Sequence, residues 1–481
     1  MSNKNTDLAK NTIIIAFGGL SAQMVAFLLL PLYTAYLSTR AYGTVDLIIA
    51  YITLLTPVVT VELAMAGFRF LVTVREEKEQ KVKVITNVLI ASGRILAIFV
   101  ILSVIALRYI HIPYGYLALL SIVAGSISGV FMQFGRGFGR NKIFAIGGMV
   151  TGITAAALTV LFLVVFHMGV KGVLVAGILA NIFSALLIFF ILGLHHYINF
   201  KQRDKEMQKE LLRYSWPLVP NGVSWWVINA ADRTIIAIFL GLSSNGIYAI
   251  AYKFPTAFSS VASFFNLSWT ESAAMHINGR DKDKFFSGVI SASVRFFGSS
   301  AALILAYLSL VFKVFINHRY DNAYMYIPIL LAASFFSAIV ALYGAIYIAK
   351  KLTKQVANTS IFAAIINVVL TLVSVKLIGL YGTSLATAVA YLAMTIYRHY
   401  DAKKYVIISY ENNILIKMTV FYAFAVALYY YNNPALNIVN AFVCTIIAVI
   451  LNRSIVSVVK DKVFSKLKQL TPDQEVREEL L

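Results

Sequence analysis

Apolar residues fall into fourteen blocks of spanning length, near 12–37, 44–71, 84–107, 114–135, 143–166, 170–194, 215–240, 246–270, 285–312, 323–349, 356–376, 380–397, 413–431 and 437–452. About 20 apolar residues cross a ~30 Å hydrocarbon core as one helix, so each block predicts a transmembrane helix. Lys and Arg alternate between the connections: the N-terminus, even-numbered loops and tail carry 29, the odd-numbered loops 6. The positive-inside rule then puts both termini in the cytoplasm, and a missed or false helix would have scrambled the alternation. The pattern predicts an all-α polytopic membrane protein.

Composition narrows the function. Of 481 residues, 60% are hydrophobic and 13% charged, and the mean hydropathy is +0.79. That excludes a soluble enzyme or nucleic-acid binder, and the net charge of +20 reports orientation instead. Outward loops such as 241–245 and 432–436 leave no room for a folded catalytic domain. No Gly-Lys dipeptide occurs, so no phosphate-cradling loop is present and energy must come from a gradient or a partner. The single cysteine, Cys444, lies inside an apolar block, which removes disulfide and thiolate chemistry; no metal or cofactor is expected. The first block is too long for a signal-peptide core, lacks a cleavage site and reads as a retained helix.

Short strings recur at near-constant offset. "DLAKNT" from Asp7 and "ELLRYS" from Glu210 open the first and seventh blocks at offset 203, where Gly43 also matches Gly246. "ASGR" ending at Arg94 and "ASVR" ending at Arg295 stand at offset 201; "GVKG" from Gly169 and "GLYG" from Gly379 stand at 210. Two six-helix lobes follow, 1–200 and 201–404, then two helices over 405–453 and a cytoplasmic tail, 454–481. An even helix number makes the repeats parallel, with a substrate path expected between them.

Charges inside spans are costly, so depth selects the candidates. Arg94 and Arg295 each lie about ten residues, or roughly 15 Å, inside their spans, near the expected midplane. Paired guanidiniums suit a phosphate; the alternative is that each is neutralised for packing alone. Arg233 and Lys253 are further cations within spans. Asp46, Arg69, Glu271 and Lys417 lie near span ends and are read as groups that snorkel to the interface. The seventh span carries Asn221, Trp225, Asn229 and Asp232 on one helical stripe, which reads as a cavity lining. Trp225 and Trp226 beside Asn229 are candidates for sugar contact or for plain packing, whereas Trp216 and Trp269 read as interface anchors. Asp232 and Glu62 are candidate ion-coupling carboxylates or simple counter-ions. The basic loop "RGFGRNK" from Arg136 is explained by orientation, with attraction of an anionic lipid headgroup as a second role. The tail from Lys460 to Leu481 reads as an amphipathic surface helix.

The stretch "YSWPLVPNGVSWWVINAADRTIIAIFLGLSSNGIYAIAYKFP" from Tyr214, the opening "LAKNTIIIAFGG", "YLSTRAYGTVDLI", "RGFGRNK" and "GLYGTSLAT" resemble the polysaccharide transporter family. These are the Wzx-type flippases of lipid-linked oligosaccharides, in one superfamily with MATE exporters and the peptidoglycan-precursor flippase MurJ. The resemblance implies a MATE-like fold in a bacterial plasma membrane. It also implies export of undecaprenyl-diphosphate-linked repeat units to the outer leaflet for capsule, exopolysaccharide or O-antigen, by alternating access and without enzymatic activity. The residues fit: Arg94, Arg295, Arg233 and Lys253 would bind the diphosphate, Asn229 and Trp225 the sugars, and Asp232 or Glu62 would couple H+ or Na+. Candidate partners are that glycolipid, membrane lipids and polymerase or export machinery. A MATE-type multidrug or metabolite cation antiporter and a peptidoglycan-precursor flippase are the alternatives.

Overall fold

A computed structural model describes residues 25, 27–410, 413–453 and 457; within these, the side chains of residues 221, 224, 225, 228, 229 and 353 are not described. The tail helix expected from Lys460 and the first span before residue 25 lie outside the described residues. Among the described residues sixteen α-helices follow one another: α1 (Leu30–Tyr36), α2 (Thr39–Thr60), α3 (Leu63–Thr73), α4 (Lys78–Tyr109), α5 (Gly115–Gly137), α6 (Asn141–Val160), α7 (Gly169–Leu192) and α8 (Lys205–Ser215) come first. Then come α9 (Leu218–Phe239), α10 (Leu242–His276), α11 (Lys282–Phe315), α12 (Ile327–Ala349), α13 (Thr353–Ile378), α14 (Leu380–Ala402), α15 (Ile414–Tyr431) and α16 (Pro434–Leu451). Among the described residues, eleven helices are long and apolar enough to cross a membrane.

The helices form two compact units. Met1–Phe264, Val314–Leu330 and Ala357–Ala390 make the first; Phe265–Lys313, Leu331–Val356 and Tyr391–Leu481 make the second. The second unit is built on Trp269, Phe286, Tyr343, Ile346, Met418 and Phe421. Trp269 is 3% exposed and donates its Nε1–H to the Leu342 carbonyl at 3.0 Å, so it is a core residue rather than the interface anchor expected. Trp216 is exposed.

In the first unit the second apolar block proves to be two helices. Pro57 lacks an N–H and disturbs the end of α2, and Val61 and Glu62 then adopt left-handed φ values of 48° and 53° before α3 starts. Leu63, Ala66, Gly67 and Leu71 of α3 pack with Val88 of α4 and Phe134 of α5 in one core cluster.

The start of α2 meets the start of α10 backbone to backbone. A Cβ on Gly43 would stand 1.9 Å from the Leu242 carbonyl oxygen, and one on Gly246 would stand 2.0 Å from that of Thr39. Asn245 Nδ2 closes the crossing by donating to the Gly43 carbonyl at 2.9 Å. Small residues permit such contacts between membrane helices, where apolar burial supplies little attraction. Gly43 and Gly246 are also the pair that matched at offset 203 in the sequence.

Helix α8 has no counterpart among the predicted elements, because "KEMQKELLRYS" is too polar for a span. Its buried face presents Gln208, Leu211 and Ser215. Asp204 caps it, accepting from Glu206 N at 2.9 Å and Met207 N at 3.2 Å, and pairs with Lys83 of α4 at 2.7 Å. Asn87 of α4 holds the same segment, its Oδ1 accepting from Asp204 N and Gln208 Nε2, each at 2.8 Å.

Gly43→Ala or Gly246→Ala should lower stability by about 2 kcal/mol or more through forced separation of α2 and α10. Thermal unfolding followed by size-exclusion chromatography should show this loss, with Gly148→Ala, whose added Cβ meets nothing within 4 Å, unchanged. The hydrogen bond from Lys83, followed by that from the Met207 amide, holds the Asp204 carboxyl below the usual carboxylate range. Its contribution to docking of α8 is therefore full above about pH 4 and is lost as pH falls through the lower folded value. Protection of the 205–208 amides, taken relative to the intrinsic exchange rate at each pH, should fall on acidification of the native protein and change less in Asp204→Asn.

Candidate functional site

Helix α9 runs antiparallel along α2, with Gly222 against Pro57, Trp226 against Ala50 and Arg233 against Asp46. The charged residues collect where this seam meets the first turns of α10. Arg233 Nε donates to Asp46 Oδ2 at 3.0 Å, and Nη1 donates to Asp232 Oδ1 at 3.2 Å. The guanidinium also lies 4.8 Å from the centroid of the Tyr252 ring. Tyr248 OH donates to Asp232 Oδ2 at 2.7 Å, and Asn245 Nδ2 approaches Asp46 Oδ2 at 3.5 Å. Asp232 is 5% exposed and Tyr248 fully buried. Charges withdrawn from water this far persist because each meets an opposite charge or a hydrogen-bond donor.

Neighbouring residues on a helix point about 100° apart, yet the long arginine stem folds back and the Asp232–Arg233 pair forms. One expectation changes here. Asp46, read as a snorkelling span-end group, is half-buried and is the partner of Arg233. Asp46, Asn245, Tyr248 and Tyr252 were not singled out as site residues. The usable signal was their position, since each lies within six residues of a glycine of the matched pair.

The remaining candidates have separate surroundings. Lys253 is half-buried on α10 in the field of Asp46 and Arg233, and among the described residues no carboxylate lies within ion-pair distance of it. Glu62 is half-buried at the α2–α3 break, its Oε1 close to Gly222 of α9, and likewise has no cation partner among the described residues. Arg94 is exposed and donates from Nη1 to Gln208 Oε1 of α8 at 3.0 Å. Its partner thus comes from α8, whose other side chains include Lys205, Glu206, Lys209, Glu210 and Arg213. Arg295, in the second unit, is half-buried on α11 between buried Val294 and Phe297. Trp226 is engaged: Nε1 donates to the Ala50 carbonyl at 2.6 Å and the ring stacks on Tyr51, with centroids 6.1 Å apart. The side chains of Asn221, Trp225 and Asn229 lie outside the described residues. Among the described residues no group of His, Cys, Asp and Glu could hold a metal ion.

Comparison with solved structures shows where this helix order recurs. A lipid II flippase MurJ in an inward closed conformation superposes with a TM-score of 0.69 at 16% identity, covering 93% of this chain and 100% of that one. An inward-facing multidrug resistance MATE transporter of the MOP superfamily gives 0.59 at 16% identity, over 79% of this chain and 95% of that one. A MOP superfamily transporter from Pyrococcus furiosus, described as having a binding pocket of reverse polarity, gives 0.54 at 13% identity, over 82% and 96%. At such identities the likeness shows the fold: this is a multi-pass membrane protein with the MurJ/MATE architecture of MOP transporters. No curated protein sequence matches. The family model for polysaccharide biosynthesis proteins matches residues 8–269, just over half of the chain, and the chain belongs to that family.

Proposed function

We propose that the protein is a flippase that moves polyprenyl-diphosphate-linked oligosaccharides from the cytoplasmic to the outer leaflet of a bacterial plasma membrane. The family match over residues 8–269 carries this reading, on a fold shared with transporters. Fourteen spans with cytoplasmic termini, arranged as parallel lobes over 1–200 and 201–404, give the frame for alternating access, and residues 405–453 add the last two spans. The headgroup and sugars cross in a cationic path while the polyprenyl tail stays in lipid.

The geometry supports a state sealed on the outer side. With cytoplasmic termini, the start of α2 and the start of α10 are outer ends, and they meet at Gly43 and Gly246. Tyr320 OH donates to the Leu37 carbonyl at 3.0 Å, and its ring lies edge-on to Tyr42 at 6.2 Å. The Asp46–Arg233 pair joins the first half of the chain to the second at the same end. Arg233 is committed to two carboxylates in this state and becomes a phosphate ligand only once Asp46 withdraws. Arg94, held by a neutral amide, and Lys253, with no carboxylate within ion-pair distance among the described residues, keep charge for the diphosphate; Arg295 is a further candidate ligand in this scheme. Asn229 and Trp225 are the sugar contacts in this scheme.

Of the two candidate coupling acids, Glu62 suits exchange with H+ or Na+ better, because Asp232 is held by Arg233 and Tyr248. The likeness to a lipid II flippase favours one second reading, a peptidoglycan-precursor cargo, which presents the same diphosphate chemistry.

Leaflet reversal of a labelled polyprenyl-diphosphate oligosaccharide in proteoliposomes tests the proposal. The native chain should accelerate it, and Arg94→Ala and Arg295→Ala should each slow it about tenfold, the scale of one lost charge-assisted contact. Unchanged rates in both variants would remove the anion-site assignment, and efflux of a cationic drug without reversal would replace the function. Glu62→Gln should bind the glycolipid as the native chain does yet lose its response to an imposed pH or Na+ gradient. A retained response would exclude Glu62 as the coupling group.

A further inference from the structure

Residues 80–203 contain no Asp or Glu but ten Lys and Arg. Two of these, with Arg75 from the α3–α4 turn, converge on the turn that follows α5. Arg75 donates from Nε to the Gly137 carbonyl at 2.8 Å and from Nη2 to that of Arg136 at 3.2 Å. Gly139, at φ +76°, lets the Arg75 guanidinium lie against the backbone. The guanidinium carbon of Arg136 lies 4.4 Å from the ring centroid of Phe68 and 5.3 Å from that of Phe144. Its Nη1 donates to Gln133 Oε1 at 3.1 Å, while its Nε is buried without a partner. Lys81 Nζ stands 5.8 Å from the Phe138 ring and 5.7 Å from Tyr197. Among the described residues none of the three cations has a carboxylate within ion-pair distance.

Orientation alone does not require this construction. Positive-inside bias counts Lys and Arg near span ends and is satisfied by side chains waving in water. Here two guanidiniums and an ammonium are immobilised on rings and carbonyls, with their charge left uncompensated. Fixed guanidinium forks match phosphate oxygens and lose little freedom on binding them. The ends of α3 and α5 and the start of α6 place the cluster at headgroup level, where membrane phosphates lie.

We propose that Arg75, Lys81 and Arg136 form a binding site for a lipid-borne phosphate at the end of α5. The phosphate is that of an anionic phospholipid or of the polyprenyl diphosphate itself. The second source rests on the proposed cargo; the site does not, and binding can be read without transport.

Native mass spectrometry of the full chain, titrated separately with phosphatidylglycerol, undecaprenyl diphosphate and phosphatidylcholine, tests the site. In Arg75→Gln/Arg136→Gln, binding of at least one anionic lipid should fall about tenfold, and phosphatidylcholine should be unaffected. The lipid whose binding falls identifies the source. Lys209→Gln, an exposed charge removed from α8, should change binding less than about twofold if the effect is local rather than bulk charge. An equal loss in Lys209→Gln, or native binding of both anions by the double variant, would overturn the proposal. Should the double variant misfold, Arg75→Gln and Arg136→Lys, which keeps the charge and loses the fork, carry the same comparison.

Discussion

Between Gly43 and Gly246 there is no room for a methyl group, and the charged cluster of the first unit depends on that approach. Only with α2 and α10 in backbone contact does Asn245 reach the Gly43 carbonyl and Asp46. The same approach lets Tyr248 and Tyr252 of α10 flank the Asp232–Arg233 pair on α9. An arginine between two acids in low dielectric is worth keeping only if every oxygen and nitrogen finds a partner, since desolvation otherwise exceeds the attraction. Two glycines thus set the distances on which the ion pairs rely. Such packing cannot come from apolar burial, because lipid tails are as apolar as the side chains they would replace.

The helices were legible because length and hydropathy are enforced by the bilayer itself. Block after block reappears as a helix; α4 and α10 merely extend beyond their blocks into polar turns. Two elements escaped for physical reasons. The break at Val61–Glu62 carries no glycine, and Pro57, the one available signal, is compatible with an unbroken span. Helix α8 is amphipathic, and eleven residues between basic connections read as loop when the search is for spanning length.

The candidate site was legible by residue type but not by pairing. Counting charges inside spans selects Arg233 and Asp232 of the cluster, because the membrane makes each expensive. Depth along a helix misjudges Asp46, whose side-chain head is fixed by what packs beside it, Arg233; Arg94 likewise takes a partner, Gln208, that its own span does not reveal. Likewise Trp269, placed at the interface by its position near a span end, is buried by α12, whose Leu342 carbonyl accepts its indole N–H. Sequence gives the distance along the axis; the neighbouring helix gives the surroundings.

The bend after Pro57 has a metric consequence. Unbroken, residues 39–73 would make a rod of roughly 50 Å, well beyond a ~30 Å hydrocarbon layer. The break divides that length: α2 by itself rises about 33 Å, close to the layer's thickness, and α3 turns off to pack against α4 and α5. Among the described residues, α2 thus carries an ion-paired acid, Asp46, in its first turns, and the break beyond its other end carries Glu62, which has no cation partner.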